Sequence, residues 1–175
     1  MAVHKKSREE IKLMKEAGNI VALVHQEMRR IIEPGVSTKY LDDAAMRIIK
    51  EHKAIPTFLG YNGFPASICA SVNGEVVHGI PRETCILKEG DIVSIDVGAT
   101  YRGLVGDGAW TYPVGNISDE CKMLLETTER ALMAAISVMK DNTLLDDVSG
   151  AVEDVAKEKG LGIVRQYGGH GVGRQ

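Results

Sequence analysis

The sequence predicts an α+β protein made of two related halves, the second of them incomplete. Three observations carry this. Apolar residues recur at helical spacing in two successive stretches near the N-terminus, a glycine-punctuated region rich in β-formers follows, and helical texture then returns twice more. The order helix, helix, strands is therefore followed by helix, helix, strand. The tripeptide Leu41-Asp42-Asp43 recurs as Leu145-Asp146-Asp147 at the matching place in the second half. Chance repeats of three residues are common, so it is the order of elements that carries the parallel. The first half spans about residues 8–115 and the partial second half about residues 116–175, together one domain over 1–175.

Each element has its own local reason. Residues 8–33 place Ile11, Met14, Ala17, Ile20, Val21, Val24, Met28 and Ile31 on one helical stripe, which Pro34-Gly35 stops. Ser37 is a natural cap for a second helix that buries Leu41, Ala44, Ala45, Ile48 and Ile49. Pro56 ends that region, and Ile68 to Gly115 reads as several strands and turns. Ser118 caps a third helix with Leu124, Leu125, Ala131, Leu132, Ala135 and Val138 on one face. A fourth runs from about Thr143 to Lys159 and closes at Gly160. Ile163 to Tyr167 reads as a strand leading into Gly168-Gly169-His170, and the sequence stops within that glycine-rich run, as if cut through the second half.

Composition excludes several functions. With 175 residues, 44% hydrophobic and 26% charged, the chain can bury a core and is ordinary for a globular protein. A net charge of -3 gives no bulk attraction to phosphate backbones or anionic lipid, so direct nucleic-acid or membrane binding is not expected. Apolar runs fall far short of the ~20 residues that span a bilayer, and no apolar stretch of signal-peptide type follows the charged N-terminus. Cys69, Cys85 and Cys121 form no CxxC pair and leave an odd thiol, which fits a reducing cytoplasm. The sequon Asn116-Ile117-Ser118 is then a chance match.

The most informative stretch is Asp91 to Gly98 followed by Gly106-Asp107-Gly108. Two antiparallel strands turning near Tyr101-Arg102 set Asp96 opposite Asp107 on one face, unless Gly103 forms a bulge. Two facing carboxylates repel by about 3 kcal/mol at an effective dielectric near 20. A shared proton or a divalent cation would relieve them; the plain alternative is two aspartates capping turns. His170 stands between Gly169 and Gly171, open to a ligand, and an imidazole with carboxylates suits a catalytic transition-metal site. Gly168 to Gly173 is a poor phosphate loop, because Arg174 occupies the last position of GxGxxG. His78 ends a strand that runs into Gly79-Ile80-Pro81, a good place to donate a proton or hold a carbonyl. His4, His25 and His52 read as surface residues. There is no HExxH, Walker lysine loop or GxSxG.

Several motifs then coincide. Leu59-Gly60-Tyr61-Asn62-Gly63-Phe64-Pro65, Ser71-Val72-Asn73 with His78-Gly79-Ile80-Pro81, the Asp96 strand, Gly106-Asp107 and Gly168-Gly169-His170-Gly171-Val172-Gly173 occur in this order. Together they closely resemble the bacterial-type (type I) methionine aminopeptidases. The resemblance implies a pita-bread fold, two pseudo-symmetric halves around a metal site, and removal of the initiator methionine from nascent chains by a pair of divalent ions drawn from Co, Fe, Mn, Zn or Ni. It implies Asp96 and Asp107 as metal ligands, the latter bridging, and His170 as a ligand of one ion. It places His78 near the scissile amide and Tyr61, Phe64 and Cys69 around the methionine side chain. Phe64 is often tyrosine in the family, and Val77 stands where many relatives carry cysteine.

The family's two glutamate ligands and a second histidine would lie beyond Gln175, so Asp96, Asp107 and His170 are only part of the ligand set. Weak metal affinity, little activity, exposed apolar faces and a tendency to aggregate are the corresponding expectations, with a monomer for the complete protein. The expected partners are nascent polypeptide N-termini, met at the ribosome in the cytoplasm. Two other readings are a non-catalytic pita-bread module that binds peptides or partners, and a prolidase or aminopeptidase P. The retained metal ligands speak against the first. The second usually carries a large N-terminal domain, whereas helical pattern here starts at about residue 8.

Overall fold

The computed structural model describes residues 5–174. Helices α1 (Arg8–Ile31) and α2 (Thr38–Glu51) precede strands β1 (Ile55–Pro56), β2 (Ile68–Val72), β3 (Ile92–Tyr101) and β4 (Leu104–Pro113). Helices α3 (Asp119–Val138) and α4 (Leu145–Glu158) follow. The chain divides into two compact units, one reaching Ile117 and including the segment from Gly171, the other Ser118–His170.

In the first unit, helix ends are fixed by side chains that satisfy otherwise unbonded amides. Ser7 and Glu10 form a capping box at α1, and the Ser37 side chain accepts from Tyr40 N at the start of α2. Strand β4 pairs with all ten residues of β3, and β1 and β2 share the other side of β3. Period-two alternation gives this sheet two unlike faces. Ala70, Val93, Ile95, Val97, Ala99 and Tyr112 are buried in one core with α1 and α2, while Cys69, Ser71, Ser94, Asp96, Asp107 and Thr111 share the opposite face. Met28, Leu41, Ile49 and Ile95 are completely shielded, each contributing about 1.5–3 kcal/mol of transfer free energy.

Helix α1 lies unusually close to β4. A Cβ on Gly106 would stand 2.5 Å from the backbone of Ala17 and Gly18, so only glycine permits this approach. On the same strand, Val105 N donates to Gly173 O at 2.8 Å, and Arg174 pairs with Glu10 of α1 at 2.9 Å.

The second unit is built on α3 and α4, joined by an ion pair from Arg130 to Glu158 of 2.8 Å. Its buried stripe on α3 is Thr127, Ala131 and Ala135, whereas Leu124 and Leu132 are exposed, contrary to the expected face. Helix α4 starts two residues later than expected, because Thr143 turns its hydroxyl back to Val138 O and closes α3 instead. The strand expected over Ile163–Tyr167 does not form. Its β propensity finds no ladder partner among the described residues, and the segment runs exposed to solvent. Among the described residues no helix is long and apolar enough to cross a membrane.

Candidate functional site

The β3–β4 hairpin turns through Arg102 and Gly103, whose φ values are 49° and 79°. Two left-handed residues in succession make the tight turn that matches strand twist. It fixes an unbroken register in which Asp96 pairs with Ala109 and Asp107 pairs with Gly98. The expected direct opposition of Asp96 and Asp107 is therefore corrected. The turn falls one residue further along, so the two aspartates are diagonal neighbours on one face, a relation that spans roughly 7–8 Å between Cα atoms. Gly103 serves the turn and makes no bulge.

Strand β2 brings a third group. Cys69 pairs with Asp96 and is buried on the same face. Burial first, then the charges of Asp96 and of Asp107, push its thiol up to about 12. Both carboxylates are thus felt at one sulfur atom. Oδ1 of Asp96 is shielded from solvent, while Asp107 is exposed. Gly98 lies between them under a roof: a Cβ there would come 2.6 Å from Phe58 Cε1 and 2.9 Å from Thr57 Cβ. Phe58 carries no signal in the sequence beyond being an aromatic residue next to the Leu59-Gly60 start of the glycine loop.

Tyr61 opens a short 3-10 turn, Tyr61–Gly63, and is exposed, whereas Phe64 is half-buried. The loop is closed by Gly60 N donating to Phe64 O at 2.8 Å and Tyr61 N to Phe58 O at 3.0 Å. It feeds into β2 at Ser67, where buried Asp42 accepts from Ser67 N at 2.8 Å and from Ile68 N at 3.3 Å. His78 does not end a strand. It sits exposed in the irregular connection after β2, with φ of 59°. His170 is exposed at the end of the second unit.

Contrary to the expectation of a surface residue, His25 of α1 is half-buried against β4. Its Nε2 donates to Gly108 O at 2.9 Å, since a carbonyl can only accept, and Nδ1 lies 2.9 Å from the Tyr112 hydroxyl. That hydroxyl donates to His25 O at 3.0 Å, and burial pushes it up to about 12 against the opposing charge of Arg29. The reason is tertiary: α1 approaches so closely at Gly106 that His25, two turns beyond Gly18 on the same helix face, meets β4. Burial lowers the imidazole below its usual 6.5, with the Gly108 carbonyl acting the other way. The folded state then resists a proton that the unfolded chain accepts, so stability falls as pH drops below about 6.5, by at most ~1.4 kcal/mol per pH unit. Urea midpoints measured from pH 7 to 5 should decline in the parent protein and decline less in His25→Gln.

The match to metallopeptidase family M24 covers residues 12–175. Methionine aminopeptidase 1 of Bacillus subtilis is 52% identical over 169 residues, covering 97% of this chain and 68% of that protein. The chain belongs to the M24 metallopeptidases, and within them to the methionine aminopeptidases. The crystal structure of methionine aminopeptidase from Thermotoga maritima has a TM-score of 0.97 at 41% identity, covering 99% of this chain and 70% of that one. The pita-bread fold is thereby established. Prolidase from Pyrococcus furiosus shares it with a TM-score of 0.76 at 19% identity, over 89% of this chain and 44% of that one, a likeness of fold alone.

Methionine aminopeptidases of this family use divalent metal ions. The donor set here suits such an ion: two like-charged carboxylates on one sheet face, one of them with a buried oxygen, are hard ligands whose repulsion a cation reverses. Among the described residues no group of three His, Cys, Asp or Glu side chains is gathered that could hold a metal ion.

Proposed function

We propose that this protein removes the N-terminal methionine from nascent polypeptides by hydrolysis, with Asp96, Asp107 and His170 as metal ligands. The observation that carries the reading is the sheet register, which sets Asp96 beside buried Cys69 and puts Asp107 on the same polar face of a methionine aminopeptidase sheet. A divalent ion held there would supply an activated water and polarise the scissile carbonyl. The protein's own residues do the rest. Asp96 and Asp107 would hold the cation by carboxylate oxygens, and His78 would donate a hydrogen bond to the substrate amide. Tyr61, Phe64 and Cys69 receive the methionine side chain. Cys69 is buried and offers the thioether a polarizable neighbour. One domain over residues 1–175 carries these groups, in a first half over about 8–115 and a partial second half. Newly made chains are encountered where they are synthesised, at the ribosome in the cytoplasm.

Titration of the purified protein with Co²⁺ or Mn²⁺, followed by methionine or alanine, tests this. Saturable metal uptake is expected, and methionine should then bind at least ~10-fold more tightly than alanine, since even one methylene in an apolar pocket is worth that much. Absence of metal uptake, or equal affinity for the two amino acids, would refute the reading.

A further inference from the structure

Between β2 and β3 the chain makes an excursion held at two points. At the first, Asn73 N donates to Ile92 O at 2.9 Å, while its side chain donates to Asp91 at 2.8 Å and accepts from Ile92 N at 3.0 Å. At the second, Gly79 lies flat on β2. Its carbonyl accepts from Ala70 N at 2.9 Å, and its N–H donates to Ser71 Oγ at 3.0 Å. The approach is close enough that a Cβ on Gly79 would stand 2.4 Å from Ala70 O. Ser71 is buried, 4% exposed, so its oxygen meets the amide where water does not compete.

His78 lies immediately before this second point and holds φ of 59°, a conformation unfavourable for any residue with a Cβ. Such a conformation persists only where its surroundings over-determine it. The peptide joining His78 to Gly79 is the plane whose N–H Ser71 accepts, so the serine fixes the backbone on the C-terminal side of the histidine directly. Asn73 and the turn after it fix the approach from the other side, where Glu75 N donates to Val72 O at 3.1 Å.

We propose that Ser71 is a positioning residue for His78, holding it in the left-handed conformation that aims its imidazole at the substrate amide. The second clause rests on the reading of His78 given above; the first does not. In Ser71→Ala the Gly79 amide loses its acceptor, the His78–Gly79 peptide can rotate, and His78 relaxes to ordinary extended backbone.

Amide exchange and backbone chemical shifts of the protein test the first clause. In Ser71→Ala, Gly79 N–H should exchange at least ~10-fold faster and His78 should leave the left-handed region, with the amides of Ile68–Val72 and β3 unchanged. Ser71→Thr, which keeps an acceptor oxygen, should restore both. If Ser71→Ala also loosens the β2 amides, Ser71→Cys is read in the same way, since it leaves no void but accepts a hydrogen bond weakly. A parent-like Gly79 and His78 in the variant without the oxygen overturns the proposal.

Methioninamide binding to the Mn²⁺-loaded protein tests the second clause by a double-mutant cycle. Ser71→Ala should weaken binding about as much as His78→Ala, and the double variant no further. Additive losses overturn a role through His78. If His78→Ala leaves binding unchanged, the substrate role of His78 fails, while the exchange and shift measurements still decide whether Ser71 holds its conformation.

Discussion

Asp107→Ala should lose metal affinity by at least ~100-fold without losing stability, since even a partner one shell removed from a metal typically costs 10–100-fold. The two halves of this expectation have separate causes. Asp107 is exposed, so removing it opens no cavity in the core. It also relieves repulsion from Asp96, worth roughly 1 kcal/mol or less at the diagonal spacing in a partly solvated setting. The metal-free variant should therefore melt at the parent temperature or slightly above it, while calorimetric titration with Mn²⁺ collapses. A structural aspartate would behave the opposite way, lowering the melting temperature and leaving metal uptake intact. That pattern would sink the assignment of Asp107 as a ligand.

Gly106→Val should destabilise the first unit by about 3 kcal/mol or more, at the upper end of what overpacking costs. The added carbon has no soft neighbour. It meets backbone atoms of Ala17 and Gly18 at 2.5 Å, so α1 and β4 must separate as whole elements. Gly108, two residues further on, is the internal control. A Cβ there meets only Val21 Cγ1 at 3.4 Å, and Gly108→Ala should change stability by less than ~1 kcal/mol. Urea unfolding midpoints of the two variants decide this; similar losses in both would mean that α1 does not rest on β4 as described. Because Gly106 adjoins Asp107, the same displacement should weaken metal uptake in Gly106→Val.

The sequence made the helical elements and their caps legible because those signals are local. Ser37 and Ser118 mark helix starts by their own side chains, and the stripe from Ala17 to Ile31 repeats within single turns. Sheet pairing is not local. Moving the turn from Tyr101-Arg102 to Arg102-Gly103 shifts every pair, and the one cue, the glycine at 103, is offset by Arg102, which takes a left-handed φ that arginine rarely adopts. The shared face of Asp96 and Asp107 survived this shift because both placements keep the same alternation. Residues defined by tertiary approach stayed hidden. His25 looks like one more polar position on α1 until Gly106 brings the helix onto β4, and Phe58 gains its place from the absence of a side chain at Gly98. Ile163–Tyr167 failed in the other direction, with strand-forming residues and no neighbour to pair with.

The bare positions around the carboxylates also set how this face of the sheet could be redesigned. At Gly98 and Gly106 any side chain collides, with Phe58 and Thr57 in one case and with α1 backbone in the other. Random libraries spread over 95–110 would therefore be depleted by misfolding before selectivity was ever sampled. The 57–64 loop is different. Gly60 and Gly63 need their positive φ, but nothing crowds them, and Leu59 and Tyr61 are exposed. On the roles proposed above, diversity aimed at a new side-chain preference is best confined to Tyr61 and Phe64, with the loop glycines and the hairpin frame left as they are.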